Sequence, residues 1–326
     1  MLSRIKALVE DVTRSALRPL ERRLLPQQNQ QLKRQIGRQN QQLKRQMRRQ
    51  VVQKPLLLKN PYVAGKFYPA QGRSGGYIIP KPDIRSGSLG EDLPVPPVDL
   101  LMGYSPETYL ATGRRDIDTM LSILESVGES SQTLTRVLEL GCAGGRMLRF
   151  YPYMPEESEL WGVDISARHV TWCQHNLSPP FLFAMSTTSP HLPFEDNYFD
   201  LVYCGSVFTH ISELADTWFL ELRRILRGGG YAYITIHDKR TIELLFTDTR
   251  YTDNKNLDWF RRKIRQFDKR TSVCSQDYAS FSMGADPESQ VFYDREYLVQ
   301  KWSRFAKVLS VTPEAYAHQT AILVQK

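Results

Sequence analysis

The chain has 326 residues, of which 41% are hydrophobic and 24% charged, so it can bury one large core with appendages, and wholesale disorder is excluded. No run reaches the roughly 18 apolar residues that a membrane-crossing helix needs. The four cysteines, Cys142, Cys173, Cys204 and Cys274, contain no C-x-x-C pair. A disulfide framework is therefore not expected, no metal is expected, and a reducing cytoplasmic setting fits.

The net charge of +8 is unevenly divided: residues 1–54 hold 14 Lys/Arg against 3 Asp/Glu, and residues 55–326 hold 29 against 32. The basic character belongs to a tail, so it gives no argument for nucleic-acid binding by the body. Within the tail, Leu2, Ile5, Val9, Val12, Ala16 and Leu20 form a helical stripe. An 11-residue repeat follows, Asn29–Gln39 and Asn40–Gln50, with Leu32, Ile36, Leu43 and Met47 on one narrow seam. Residues 1–54 are thus expected to form a basic helical tail. It is either a short self-associating coiled coil or an extended basic helix, and an anionic membrane surface is its other candidate partner. Residues 55–97 carry eight prolines and read as a linker. A catalytic domain is expected over 98–326, opening with a helix at Tyr109–Glu125.

Val137–Leu140 predicts a short strand, Gly141–Gly145 a tight turn, and Arg146–Phe150 the opening of a helix. This is the first unit of a doubly wound nucleotide-binding sheet. Leu160–Val163 reads as the next strand and ends at Asp164, 23 residues beyond Gly141, where a carboxylate can accept from both hydroxyls of a ribose. Arg146 stands where a dinucleotide fingerprint wants its third glycine, and no phosphate-loop lysine follows. A ligand with a ribose and no phosphate fits better, and S-adenosylmethionine is the common one.

At this point a family resemblance is visible. Val137–Phe150, Leu160–Ser166, Leu192–Ile211 and Leu222–Asp238 resemble the successive motifs of class I S-adenosylmethionine-dependent methyltransferases, in particular the group typified by ubiquinone/menaquinone-type enzymes. The resemblance implies an α/β fold with a doubly wound, mostly parallel seven-stranded sheet, whose last two strands, Ala306–Tyr316 and Gln319–Gln325, form an antiparallel pair. It implies that Glu139 and Gly141 lie beside the methionine end of the cofactor, that Gly145 allows close approach, that Asp164 holds the ribose and that Ile165 borders the adenine. Ala143 replaces the usual middle glycine, a change that should cost little. After the third strand the run Met185-Ser-Thr-Thr188 replaces the usual adenine-facing Asp, so that contact falls to a hydroxyl such as Thr187 or to backbone. Ser206, after the fourth strand, completes the candidate cofactor set.

Methyl transfer from a sulfonium is a direct displacement, and a hydroxyl or amine acceptor must also lose a proton. Two sites at strand ends carry candidate bases: His210, in Ser206-Val-Phe-Thr-His210, and His237, with Asp238 beside it. Residues 239–290 are expected to form a substrate cover, with helices at Thr241–Phe246 and Asn256–Phe267. Its run Arg261-Arg-Lys-Ile-Arg265 is either a solvated helix face or a contact for an anionic substrate. Tyr104, Tyr109 and Arg114 are candidate acceptor-lining residues. The sequence thus points to O-methylation of a small-molecule or glycan-like acceptor. RNA methylation using the tail, and a non-catalytic cofactor-binding scaffold, are the alternatives. Nucleic acid is disfavoured as a partner because the body is slightly acidic and shows no aromatic-rich RNA module.

Overall fold

The computed structural model describes residues 92–152, 158–284 and 289–326. The expectations for the basic tail, its coiled-coil repeat and the first part of the linker fall outside the described residues. The strands are β1 (Arg136–Leu140), β2 (Glu159–Asp164), β3 (Leu182–Met185), β4 (Phe199–Cys204), β5 (Leu226–Ile236), β6 (Ser280–Met283), β7 (Gln290–Tyr293), β8 (Lys307–Tyr316) and β9 (Gln319–Gln325). The helices are α1 (Pro106–Ser126), α2 (Ala167–Asn176), α3 (Ala215–Ile225), α4 (Lys239–Thr247), α5 (Thr249–Thr252), α6 (Asp258–Thr271) and α7 (Arg295–Trp302). Among the described residues no helix is long and apolar enough to cross a membrane.

Seven strands form one sheet in the order β3-β2-β1-β4-β5-β9-β8. Strands β1 to β5 pair in parallel, and β9 is antiparallel to both β5 and β8. Both faces are buried, and the period of two along each strand decides which residue goes where. Leu138, Leu140, Val202, Cys204, Ala232 and Ile234 pack with α3 and α7 on one face. Val137, Leu201, Tyr203, Tyr231 and Tyr233 pack on the other with α1 and α2. From β1 the chain moves outward to β2 and β3, then returns to place β4 on the other side of β1. Ligands in sheets of this kind bind beyond the carboxyl ends of the strands at that reversal, here between β1 and β4.

Two features differ from the sequence expectations. The segment after the glycine turn forms only a 3-10 turn, Leu148–Phe150, and no α-helix opens at Arg146. Pro152 disfavours helical geometry for Tyr151, which is extended at φ −66° and ψ 136°. Buried Arg149 meanwhile donates to the carbonyls of Gly145, Leu93 and Pro94, turning the segment toward residues 93–96. The second difference lies in the cover, where β6 and β7 form an antiparallel hairpin outside the main sheet. Four-residue strands are too short to announce themselves by alternation. The cover has its own small core of Leu245, Phe260, Ile264, Met283 and Phe292.

The amino ends of β1 and β4 are clasped by Asp200. Its Oδ2 accepts the backbone N–H groups of Thr135 at 2.9 Å and Arg136 at 2.8 Å, while Oδ1 pairs with Arg227. Asp200→Ala is expected to destabilise the fold by about 2–3 kcal/mol in urea unfolding, because two backbone donors and a guanidinium lose their acceptor together.

Candidate active site

At the carboxyl end of β1 the chain turns back on itself within five residues. Gly141 has φ +77°, and a Cβ there would stand 2.4 Å from Val207 Cγ2, so neither the backbone nor the space admits a larger residue. The N–H groups of Gly141 and Cys142 both donate to the Val163 carbonyl, at 2.7 and 3.1 Å, which fastens the hairpin to β2. Asp164, at the end of β2, turns its carboxylate into the hairpin. Its Oδ2 accepts from Ala143 N at 2.8 Å and its Oδ1 from Ser166 N at 2.7 Å. Each oxygen keeps a lone pair, which is what the two hydroxyls of a ribose require. The helix cap that follows is supplied by Ser166, whose side chain accepts from His169 N, so Asp164 is not consumed as a cap.

Ala143 sits at φ +43°, in the left-handed region. The replacement of glycine is therefore not cheap, since an L side chain pays roughly 1–2 kcal/mol there. Gly145 does allow a close approach, but its neighbour is α2: a Cβ at that position would lie 2.7 Å from Leu177 Cδ1.

Behind the hairpin lies Glu139, which is 4% exposed. Its Oε2 accepts from Leu148 N at 3.0 Å and from the Tyr203 hydroxyl at 3.2 Å. Burial pushes its carboxyl up to about 8, with Arg146 pulling in the other direction. A cation placed beside it would favour the ionised form.

The adenine side follows from β2 and β3. Ile165 and Met185, at the ends of those strands, are 59% and 45% exposed, an apolar pair flanking Asp164. Thr187 is exposed, and its Oγ1 accepts from Ser189 N in a tight turn while its O–H remains able to donate. A second hydroxyl on this side is that of Ser186, which the sequence reading passed over. Ser186 is buried, its N–H donates to the Asp164 carbonyl at 2.9 Å, and its Oγ finds no partner among the described residues. Such an orphan is costly unless a ligand satisfies it. The only signal in the sequence was its place in Met185-Ser-Thr-Thr188. A carboxylate with spare lone pairs, an apolar pair and an orphan hydroxyl suit an adenosyl group.

Ser206 belongs to a polar network beyond β4 and β5. Its N–H donates to Thr235 Oγ1 at 2.7 Å, Thr235 donates to Gln319 Oε1 at 2.7 Å, and Gln319 Nε2 donates to Ser206 Oγ at 2.8 Å. Ser206 itself is left-handed at φ +60°, and this ring of bonds holds it there. His210 is exposed, and its Nδ1 donates to the Ser289 carbonyl at 2.8 Å.

His237 is 2% exposed, with Nε2 3.2 Å from Gln290 Oε1 and Nδ1 without a partner among the described residues. Its ring stacks on Phe292 and His318 and tilts against Phe260. Burial, with His318 nearby, holds its pKa well below the usual histidine range, so at neutral pH it is an uncharged and weak base. Asp238 is withdrawn from the catalytic candidates. It caps α4 through Thr241 N at 3.1 Å, and its Oδ2 accepts from Thr320 Oγ1 at 2.7 Å.

Arg146 explains its own presence in the hairpin. Its guanidinium pairs with Asp116 Oδ2 at 2.8 Å and donates to Thr112 Oγ1 and to the Tyr316 hydroxyl, clamping α1 and β8 onto the turn. Tyr104 lies beneath the same guanidinium. Tyr109 is buried against Gly144. Arg114 is exposed on α1 and covers the Phe150 ring, outside this cluster. In the cover, Arg261 is buried and bound to Asp258 and to the Tyr251 and Asn254 carbonyls, so it is not available to a substrate.

Residues 138–234 match the family described as "Methyltransferase domain". A phthiotriol/phenolphthiotriol dimycocerosates methyltransferase of Mycobacterium ulcerans is 28% identical over 167 residues, 50% of this chain and 53% of that protein. A fatty-acid O-methyltransferase of Mycolicibacterium smegmatis is 28% identical over 100 residues, 31% of this chain and 36% of that protein. The chain thus spans about half the length, or less, of these curated relatives. Among solved structures, an S-adenosylmethionine-dependent methyltransferase from Clostridium acetobutylicum aligns with a TM-score of 0.43 at 13% identity, covering 65% of this chain and 90% of that one.

The raised Glu139 pKa gives the site a pH signature. Between the ordinary carboxyl value of 4.5 and about 8, the unfolded chain has lost this proton while the folded chain still holds it, so stability falls as pH rises through that window. A sulfonium bound beside Glu139 would favour ionisation. S-adenosylmethionine should therefore release a proton and bind more tightly as pH rises toward about 8, levelling off above it. Calorimetry in buffers of different ionisation heat measures that release, and Glu139→Gln is expected to abolish it.

Proposed function

We propose that this chain, which carries a class I S-adenosylmethionine-dependent methyltransferase domain, transfers the sulfonium methyl group to an oxygen of a small-molecule or glycan-like acceptor. The observation that carries the reading is the Asp164 carboxylate held inside the glycine hairpin, flanked by exposed Ile165 and Met185 and by the orphan Ser186 hydroxyl. Asp164 would hold the ribose, Ile165 and Met185 the adenine faces, Ser186 an adenine edge, and Glu139 and Gly141 the methionine end. The names of the two mycobacterial relatives favour a lipid-like member of the acceptor class.

The bound cofactor supplies an activated methyl group whose departure leaves a neutral thioether. In the displacement a C–O bond forms as the C–S bond breaks, and the acceptor's proton leaves to a base or to water. What the chain contributes is alignment and exclusion of water. Of the two candidate histidines, His210 has the more available lone pair. Because Nδ1 donates to the Ser289 carbonyl, the neutral ring carries its lone pair on Nε2. His237 gives its Nε2 proton to Gln290 and is held uncharged by burial, so it serves better as a wall than as a proton acceptor. The reading places the reaction in the cytoplasm or at the inner face of a membrane, with the tail as a tether or self-association element.

A labelled methyl donor incubated with the full chain and cell extract should place label in a small, extractable molecule. Label in RNA, or cofactor binding with no transfer to any fraction, would overturn the assignment. Asp164→Ala should weaken cofactor binding about hundredfold or more, since two charge-assisted contacts to the ribose are lost with it. His210→Ala should lower kcat by about 10²–10⁴-fold at unchanged cofactor affinity, while unchanged turnover would leave alignment as the whole mechanism.

A further inference from the structure

The helix α6 has two faces of opposite character. Phe260, Arg261 and Ile264 are buried in the cover core, and Phe260 packs against the His237 ring at 5.3 Å. At 100° per residue, Arg262, Arg265, Gln266, Lys269 and Arg270 fall on the opposite arc, and all are exposed. Trp259 lies within that arc and is 48% exposed, a large aromatic turned outward among guanidinium and ammonium groups. No carboxylate pairs with Arg262, Arg265, Lys269 or Arg270 among the described residues: Asp258 is taken by Arg261, and Asp268 accepts from Cys274 N. The imbalance is local. Residues 258–271 hold six Lys/Arg against two Asp, whereas the rest of 55–326 holds 23 against 30.

Lys269 and Arg270 complement the carboxyl end of the helix dipole, whereas Arg262 and Arg265 stand in mid-helix, where the dipole gives no reason for them, although the Arg265 guanidinium also lies over the Phe246 ring at 5.0 Å. A helix whose outer face is basic around a single exposed Trp matches the headgroup layer of an anionic bilayer. The cations meet lipid phosphates, and the amphipathic indole sits at the boundary. A single-stranded nucleic acid would call instead for a row of aromatics on which successive bases stack, and Trp259 is alone on this face.

We propose that the outer face of α6 docks the cover onto an anionic lipid surface through Arg262, Arg265 and Lys269, with Trp259 inserted at the headgroup level. This surface is separate from the basic tail, and it stands whatever acceptor is methylated. Its position matters because the same helix covers His237 at the end of β5, so docking would set the cover against the membrane.

The test uses the full chain, tail included, and vesicles of phosphatidylglycerol and phosphatidylcholine. R262E/R265E/K269E should lower partition onto the anionic vesicles at least tenfold, because each basic residue at such a surface contributes to binding. With brominated phosphatidylglycerol, Trp fluorescence of the unaltered chain should be quenched, and Trp259→Phe should remove that component while binding persists. Unchanged partition of the triple variant would assign membrane attachment to the tail and overturn the proposal. So would quenching that survives in Trp259→Phe. Loss of binding to a single-stranded RNA at unchanged vesicle partition would identify the face as a nucleic-acid surface and overturn it equally.

Discussion

The site depends on one carboxylate accepting two backbone N–H groups from two different segments. Asp164 reaches from the end of β2 to Ala143 in the hairpin and to Ser166 at the start of α2. Charge-assisted bonds of this kind are stronger than neutral ones, and here they fix a turn that contains three glycines and one strained alanine. Beside that anchor only the weak thiol donors of Cys142 and Cys173, both to the Ala143 carbonyl, are seen to act on Ala143 among the described residues. The same bonds orient the carboxylate, so the group that shapes the hairpin is also the group that would receive the ribose.

The opposite side of the hairpin is held by charge as well. The buried pair of Arg146 and Asp116 links it to α1, and Tyr316 extends the contact to β8. A buried ion pair of this type returns little net stability but is expensive to break on one side, so it specifies position more than it adds strength. Arg149 does the same for the chain entering the domain, holding the carbonyls of Leu93 and Pro94 while Pro96 lies against Gly144. The hairpin is therefore gripped from three directions. That arrangement suits alignment catalysis, where displacement of a reacting atom by a fraction of an ångström is costly.

The cover has a different logic. Its inner surface is aromatic, with Phe260 and Phe292 packed around His237 opposite His318 of the β8–β9 turn, and its outer surface on α6 is basic. An aromatic, dry lining keeps an imidazole neutral and excludes water, and a charged exterior governs what the cover can meet. The two faces of one helix thus separate the chemistry from the approach.

Much of this was legible in order along the chain. Period-two apolar runs at β1, β2, β4 and β5, the glycine cluster at 141–145 and a carboxylate at the next strand end are local patterns, and local sequence is enough to set them. The antiparallel closing pair followed from family likeness. The absent helix after Arg146 was partly local too, since Pro152 was in view, but the pull of Arg149 on residues 93 and 94 acts across more than fifty positions. Asp238 looked like a catalytic partner because it adjoins a histidine, and only the arrival of Thr320 from β9 shows that its oxygens are occupied. Ser186 gained its interest from burial without a partner, a property that no single residue type announces. By itself, then, the sequence determined the first strands of the main sheet and the glycine hairpin with its acidic partner, because these rest on backbone preference and short spacing. The tertiary structure decided which polar groups remain free for a ligand, because that depends on which distant donors and acceptors fold against them.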